Sequence, residues 1–79
     1  MDRGHARKAL EAMGPVAEQP VLGMLASPDA QTRAEACGVL KTIGTQESVA
    51  GLQNVAQQDR DLRVKLAAQE ALTAIAARP

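Results

Sequence analysis

Phenylalanine, tryptophan and tryptophan-like bulk are missing: none of the 79 residues is Phe, Trp or Tyr, and there is one cysteine and one histidine. Aromatic side chains each bury a large area and dominate most cores. This interior must therefore be built from Leu, Ile, Val and Met. Sixteen alanines lie among them, and alanine has the best helix propensity while burying little surface. The expected core is thin and closely approached, which suits helices stacked in layers better than a globule with a deep centre. The single Cys37 excludes an internal disulfide and a four-cysteine zinc cage. It lies mid-helix beside Ala36 and reads as a small core residue, since a reactive thiol needs nearby cations or a helix N-terminus. The lone His5 lacks a surrounding ligand set, and it leaves Ser27, Thr45 and Ser48 without a base for a Ser-His-Asp arrangement. The glycines form neither GxGxxG nor a Walker loop. No catalytic residue, cofactor or metal is expected.

An excess of either charge is also missing. Nine basic and nine acidic residues cancel, so no global field draws the chain to nucleic acid or to an anionic membrane. Small basic groups at Arg3, Arg7 and Lys8, and at Arg60, Arg63 and Lys65, are interrupted by Asp2, Glu11, Asp59 and Asp61. With no aromatic to stack on a base, they read as solvated helix faces. No apolar run is long enough to span a bilayer, and MDRGHARKAL has no apolar signal region. A cytoplasmic protein is the expectation, although a cleaved leader or an excised fragment would look the same.

What is present is helical periodicity. Ala6, Ala9, Leu10 and Met13 mark a helix over 4–13 that Gly14-Pro15 ends. A second is expected over 16–26, with Pro20 near its first turn and Val21, Leu22 and Leu25 as a buried stripe beside Met24. Ser27-Pro28-Asp29 opens a third: an N-cap hydroxyl, a proline at the first helical position and an acid facing the positive end of the dipole. That helix runs to Ile43 with Thr32, Ala36, Val39, Leu40 and Ile43 on one face, and Gly44 closes it. Thr45 caps a fourth, which turns Val49, Leu52 and Val55 inward. Asp59-Arg60-Asp61 opens a fifth, faced by Val64, Ala68, Ala71, Leu72 and Ile75. No stretch alternates with period two. Gly23, Gly38 and Gly51 fall inside helices, either for close helix approach or through plain tolerance.

The chain repeats itself. At an offset of about 30, Ala6, Ala9, Leu10, Met13 and Gly14 fall on Ala36, Val39, Leu40, Ile43 and Gly44. At an offset of about 32, Asp29, Thr32, Arg33, Ala36, Val39, Leu40 and Ile43 fall on Asp61, Val64, Lys65, Ala68, Ala71, Leu72 and Ile75. The two extra residues lie near Asp59-Arg60, in a turn where insertion is cheap. The spacing Asp-x-x-(Val/Thr)-(Arg/Lys)-x-x-Ala-x-x-(Ala/Val)-Leu-x-x-Ile-Gly resembles HEAT repeats, in particular the short variety noted in phycobilisome lyase proteins. The resemblance implies an all-α fold, a short right-handed α-solenoid of antiparallel helix pairs with about five helices. It would form a single domain over 1–79 in units of roughly 3–26, 28–57 and 60–78, complete or part of a longer array. Three departures stand out: Ala76 replaces the terminal glycine, Arg3 has no acid upstream, and the third unit lacks its second helix.

The resemblance further implies that motif acids and bases bond across units, which would couple Asp29, Arg33, Asp61 and Lys65 in a register-setting ladder. The alternative is that Asp29 and Asp61 only favour helix N-termini. Second helices of such solenoids line the partner-holding surface, which directs attention to the uncharged amides Gln46, Gln53, Asn54, Gln57 and Gln58. The expected function is a non-catalytic protein-interaction or scaffold module with a protein partner, able to self-associate through its exposed repeat ends. The alternative is an accessory or fragment of a HEAT-like enzyme of the bilin-lyase or DNA-glycosylase type.

Overall fold

The computed structural model describes residues 14–78, so the helix expected over 4–13 lies outside the described residues. A short 3₁₀ turn, Gly14–Ala17, leads into α1 (Glu18–Met24), and α2 spans Ala30–Ile43. A second 3₁₀ turn, Gln46–Ser48, feeds α3 (Val49–Gln58), and α4 spans Leu62–Ala76. No strand occurs among the described residues.

The element ends have local causes. Pro20 is the third residue of α1, where its missing N–H has no intrahelical role. α1 is shorter than the sequence predicts. Beyond Met24 the chain tightens into i→i+3 bonds, Leu25 N to Leu22 O at 3.1 Å and Ala26 N to Gly23 O at 3.2 Å. Pro28 then disfavours helical backbone at Ser27. The start of α2 is displaced from the expected place: Asp29, not Ser27, is the N-cap, and Pro28 stays outside the helix. Asp29 Oδ1 accepts from Gln31 N at 3.2 Å, and Ser27 Oγ accepts from Asp29 N at 3.1 Å. The same two-step cap recurs at α4, where Asp61 Oδ1 accepts from Arg63 N at 2.8 Å and Asp59 Oδ1 accepts from Asp61 N at 2.9 Å. Thr45 caps the 3₁₀ turn before α3 by accepting from Glu47 N at 3.3 Å.

Among the described residues one aliphatic cluster joins the four helices: Val21 from α1; Ala36, Cys37, Val39, Leu40 and Ile43 from α2; Leu52 and Val55 from α3; Val64, Ala68, Ala71 and Ile75 from α4. α2 packs on α1 and α4, and α3 packs on α4. The first helices of successive units, α2 and α4, lie side by side, with α1 and α3 forming the second layer. The molecule is a slab of 35 × 29 × 16 Å. Its thinnest dimension is close to what two layers require: about 8–10 Å between axes plus a Cα cylinder of about 2.3 Å radius on each side. The architecture is a short all-α solenoid.

Several expected core residues sit differently. Thr32 is half-buried, because its hydroxyl donates to Asp29 Oδ2 at 2.8 Å and is committed to the cap. Val49 and Leu72 are half-buried, and so are Leu22, Met24 and Leu25, leaving Val21 as the fully buried member of the α1 stripe.

Gly44 ends α2 with φ −65° and ψ 147°, a conformation open to any residue, so glycine is required here by space. A Cβ would lie 2.5 Å from the Leu40 carbonyl oxygen and 2.9 Å from Ile75 Cδ1. At Gly23, by contrast, a Cβ meets nothing within 4 Å. Gly44→Ala is therefore expected to destabilise the fold by about 1–3 kcal/mol, whereas Gly23→Ala stabilises it by up to about 1 kcal/mol. Urea unfolding followed by circular dichroism checks both signs.

Candidate functional site

Two polar junctions tie the units together, one at each end of α2. At its C-terminal end the turn Gly44–Ser48 is gripped from both neighbouring units. Glu18, at the start of α1, is only 4% exposed. Its carboxylate accepts from Thr45 N at 2.7 Å, from Thr45 Oγ1 at 3.0 Å and from Ser48 Oγ at 2.5 Å. From beyond α4, the Arg78 guanidinium donates to the carbonyls of Gly44 and Lys41. A buried charge is tolerated only when its lone pairs are used, and here they are. Burial by itself pushes the Glu18 carboxyl up. The bonds from Ser48 and Thr45, with the nearby Arg78 charge, outweigh burial and hold it below its ordinary value. Sequence reasoning missed Glu18. A signal was available, since Glu18 and Ser48 stand 30 positions apart, the repeat period itself.

At the N-terminal end, Arg33 reaches across units. Its Nε donates to Asp59 Oδ2 at 2.7 Å, Nη2 to Asp59 Oδ1 at 3.2 Å, and Nη1 to the Ser27 carbonyl at 2.8 Å. Planar two-point recognition of a carboxylate is what the guanidinium fork supplies. The hydrogen bond from Arg33 is the main reason the Asp59 carboxyl is held below the usual range, against the upward push of burial.

Of the four residues of the expected ladder, Arg33 takes Asp59 as its partner rather than Asp61. The two inserted residues explain this. They give the third unit two acids where the second has Asp29, and the first acid meets Arg33 while Asp61 caps α4. Asp61 also bonds its own neighbour, Arg63 Nη2, at 3.2 Å. Asp29 caps α2, and Lys65, the counterpart of Arg33, is half-buried with no ion pair to a described acid.

On the other layer, Gln46, Gln53, Asn54, Gln57 and Gln58 are all exposed. Beside them α1 and α3 border an open groove lined by Leu22, Leu25, Ala26, Glu47, Gly51, Asn54 and Val55. Gln19 Nε2 donates to Glu47 Oε2 at 2.8 Å across its rim. Cys37 is fully buried, and its thiol is pushed up to about 11, first by burial and then by the Asp59 charge, so it is poorly nucleophilic. Ser48 gives its hydroxyl to Glu18. His5 and the basic group Arg3, Arg7 and Lys8 lie outside the described residues. Among the described residues, no group of three or more His, Cys, Asp or Glu is placed to hold a metal ion, and no helix is long and apolar enough to cross a membrane.

Paired helices laid side by side, with capped first helices and polar joints at a period near 30, define a repeat solenoid. A family model of HEAT repeats matches residues 2–76, and the chain belongs to that family. No curated protein and no solved structure matches it.

The Glu18 junction carries a pH signature. A carboxyl held low in the folded state stabilises fully above its unfolded value, ordinarily 4.5, and that stability is lost as pH falls through the folded value. Glu18→Ala is expected to cost about 1.5–3 kcal/mol at pH 7. The gap between wild type and variant should then close as pH is lowered below 4.5. Chemical denaturation over a pH series measures the difference and separates Glu18 from the other depressed carboxyls.

Proposed function

We propose that this chain is a non-catalytic protein-interaction or scaffold module whose partner-contact surface is the α1/α3 face. HEAT repeats are generally interaction and scaffold modules. The observation that carries the reading here is the separation of surfaces. One layer is cross-linked by caps and ion pairs, while the other leaves Gln46, Gln53, Asn54, Gln57 and Gln58 exposed beside an apolar groove. Amide side chains both donate and accept, so such a strip serves a partner's backbone or polar groups. The chain works as one domain over 1–79 with units near 3–26, 28–57 and 60–78, alone or within a longer array. The inter-unit pairing around Arg33 sets register and takes no part in chemistry. A cytoplasmic setting is in keeping with the lone, buried Cys37 thiol. The lyase- or glycosylase-accessory alternative rests on family resemblance alone.

The outer flank of α4 supports self-association. Leu62 and Leu66 are 66% and 50% exposed, and Lys65 beside them has no ion pair to a described acid. A repeat unit buries its seam only against a neighbour.

Two measurements check these roles. Replacing the five amides by alanine should reduce capture of a bound protein from the source cells by about tenfold, the loss of roughly 1.4 kcal/mol. Replacing exposed Gln69 and Thr73 should leave capture intact. Equal capture by both variants, or none by the wild type, overturns the module. In sedimentation, wild-type protein should form oligomers at high concentration that Leu66→Glu abolishes. A strictly monomeric wild type overturns self-association.

A further inference from the structure

The groove between α1 and α3 has a definite chemical character. Its floor is aliphatic: Leu22, Leu25, Gly51 and Val55. These two leucines were expected in the core and are instead half-buried at the groove, where they remain available to a ligand. One end carries Glu47, the other Asn54. Glu47 is exposed and holds a single neutral bond, from Gln19, with no cation in ion-pair contact among the described residues. Every described lysine and arginine (Arg33, Lys41, Arg60, Arg63, Lys65 and Arg78) lies on α2 or α4, in the turn before α4, or after it. The layer of α1 and α3 presents carboxylate and amide with no cation of its own.

We propose that this groove binds an extended peptide segment of a partner carrying an aliphatic residue two positions from a lysine or arginine. The aliphatic side chain sits over Gly51 between Leu22 and Leu25, the cation meets Glu47, and the peptide backbone bonds the Asn54 amide. The dimensions agree. Glu47 stands in the 3₁₀ turn that feeds α3, so the rise from it to Gly51 is about 6–7 Å, and two residues of extended chain span about 6.6 Å. Asn54 lies about 4.5 Å further on, close to one more residue. The proposal rests on the interaction-module reading and adds the chemistry of the partner.

The test uses three synthetic probes titrated into the full chain while backbone amides are followed by NMR: acetyl-Gly-Ser-Leu-Ser-Arg-Ser-amide, the same peptide with Glu for Arg, and the same peptide with Ser for Leu. The first should shift the amides around Leu22, Leu25, Gly51 and Asn54. The Glu peptide should bind about fivefold more weakly, an effect reduced by salt, and the Ser peptide about tenfold more weakly. Glu47→Lys should reverse the preference between the Arg and Glu peptides. Gly51→Ala supplies a control for folding. Its methyl would sit 3.5 Å from Leu22 Cδ2 and Leu25 Cδ1, an ordinary contact, so the variant should melt higher yet bind about threefold more weakly as the floor rises. The proposal fails if all three peptides titrate alike, if shifts fall elsewhere, or if none appears at millimolar peptide. It also fails if the same amides move on simple dilution, since a second copy would then occupy the groove. A partner captured through the amide strip alongside a silent peptide titration would leave the module standing and remove the groove ligand alone.

Discussion

The buried carboxylate of Glu18 is the constraint on which the rest of the slab depends. A seam of Ala, Val, Leu and Ile has little to tell one helical register from another, because small side chains interdigitate almost as well one turn along. Directional bonds supply the missing information. Glu18 reaches from α1 into the turn after α2, and Arg78 reaches into the same turn from beyond α4. Three consecutive units therefore converge on Gly44–Ser48. At the opposite end of α2, Arg33 bonds the Ser27 carbonyl behind it and Asp59 ahead of it. The helix is pinned at both ends, and the aliphatic cluster fills in between.

Much of this was legible from residue order. The 3.6-residue periodicity placed four helices that the structure describes, and the offsets of 30 and 32 disclosed the unit. Ala36 with Ala68, and Ile43 with Ile75, occupy equivalent buried positions. The departures at caps and ion pairs share a cause: they concern which of two neighbouring groups takes a bond. Ser27 and Asp29 are both good caps, as are Asp59 and Asp61, and only the path of the backbone gives the outer residue to the inner one's N–H. Arg33 had two acids within reach, and geometry chose the nearer turn. Glu18 was overlooked because a charged residue in the first turn of a helix ordinarily faces water. Its burial comes from the next unit, which local periodicity does not see. Leu22 and Leu25 were read as core for the converse reason: helical spacing reports which side a residue faces, not how completely a neighbour covers it.

The two layers divide their labour. The α2/α4 layer commits Asp29 and Asp61 to caps, and three of its cations, Arg33, Lys41 and Arg63, lie in ion pairs with Asp59, Glu70 and Asp61. The α1/α3 layer keeps its one buried acid for the junction and exposes amides, aliphatic floor and a lone carboxylate. Removing water from amides and a carboxylate is costly unless new hydrogen bonds replace it, and groups with so few bonds inside the chain are open to form them.

Glu18 and Ser48 hold the same place in successive copies of the unit, and the joint works because they differ. Two glutamates there would repel, and two serines would leave no ion to gather the turn. The architecture is therefore of the plug-and-socket kind, with a sense of direction written into it. Copying one unit wholesale over its neighbour, by gene conversion or by consensus averaging, would erase the joint even while every aliphatic position was preserved.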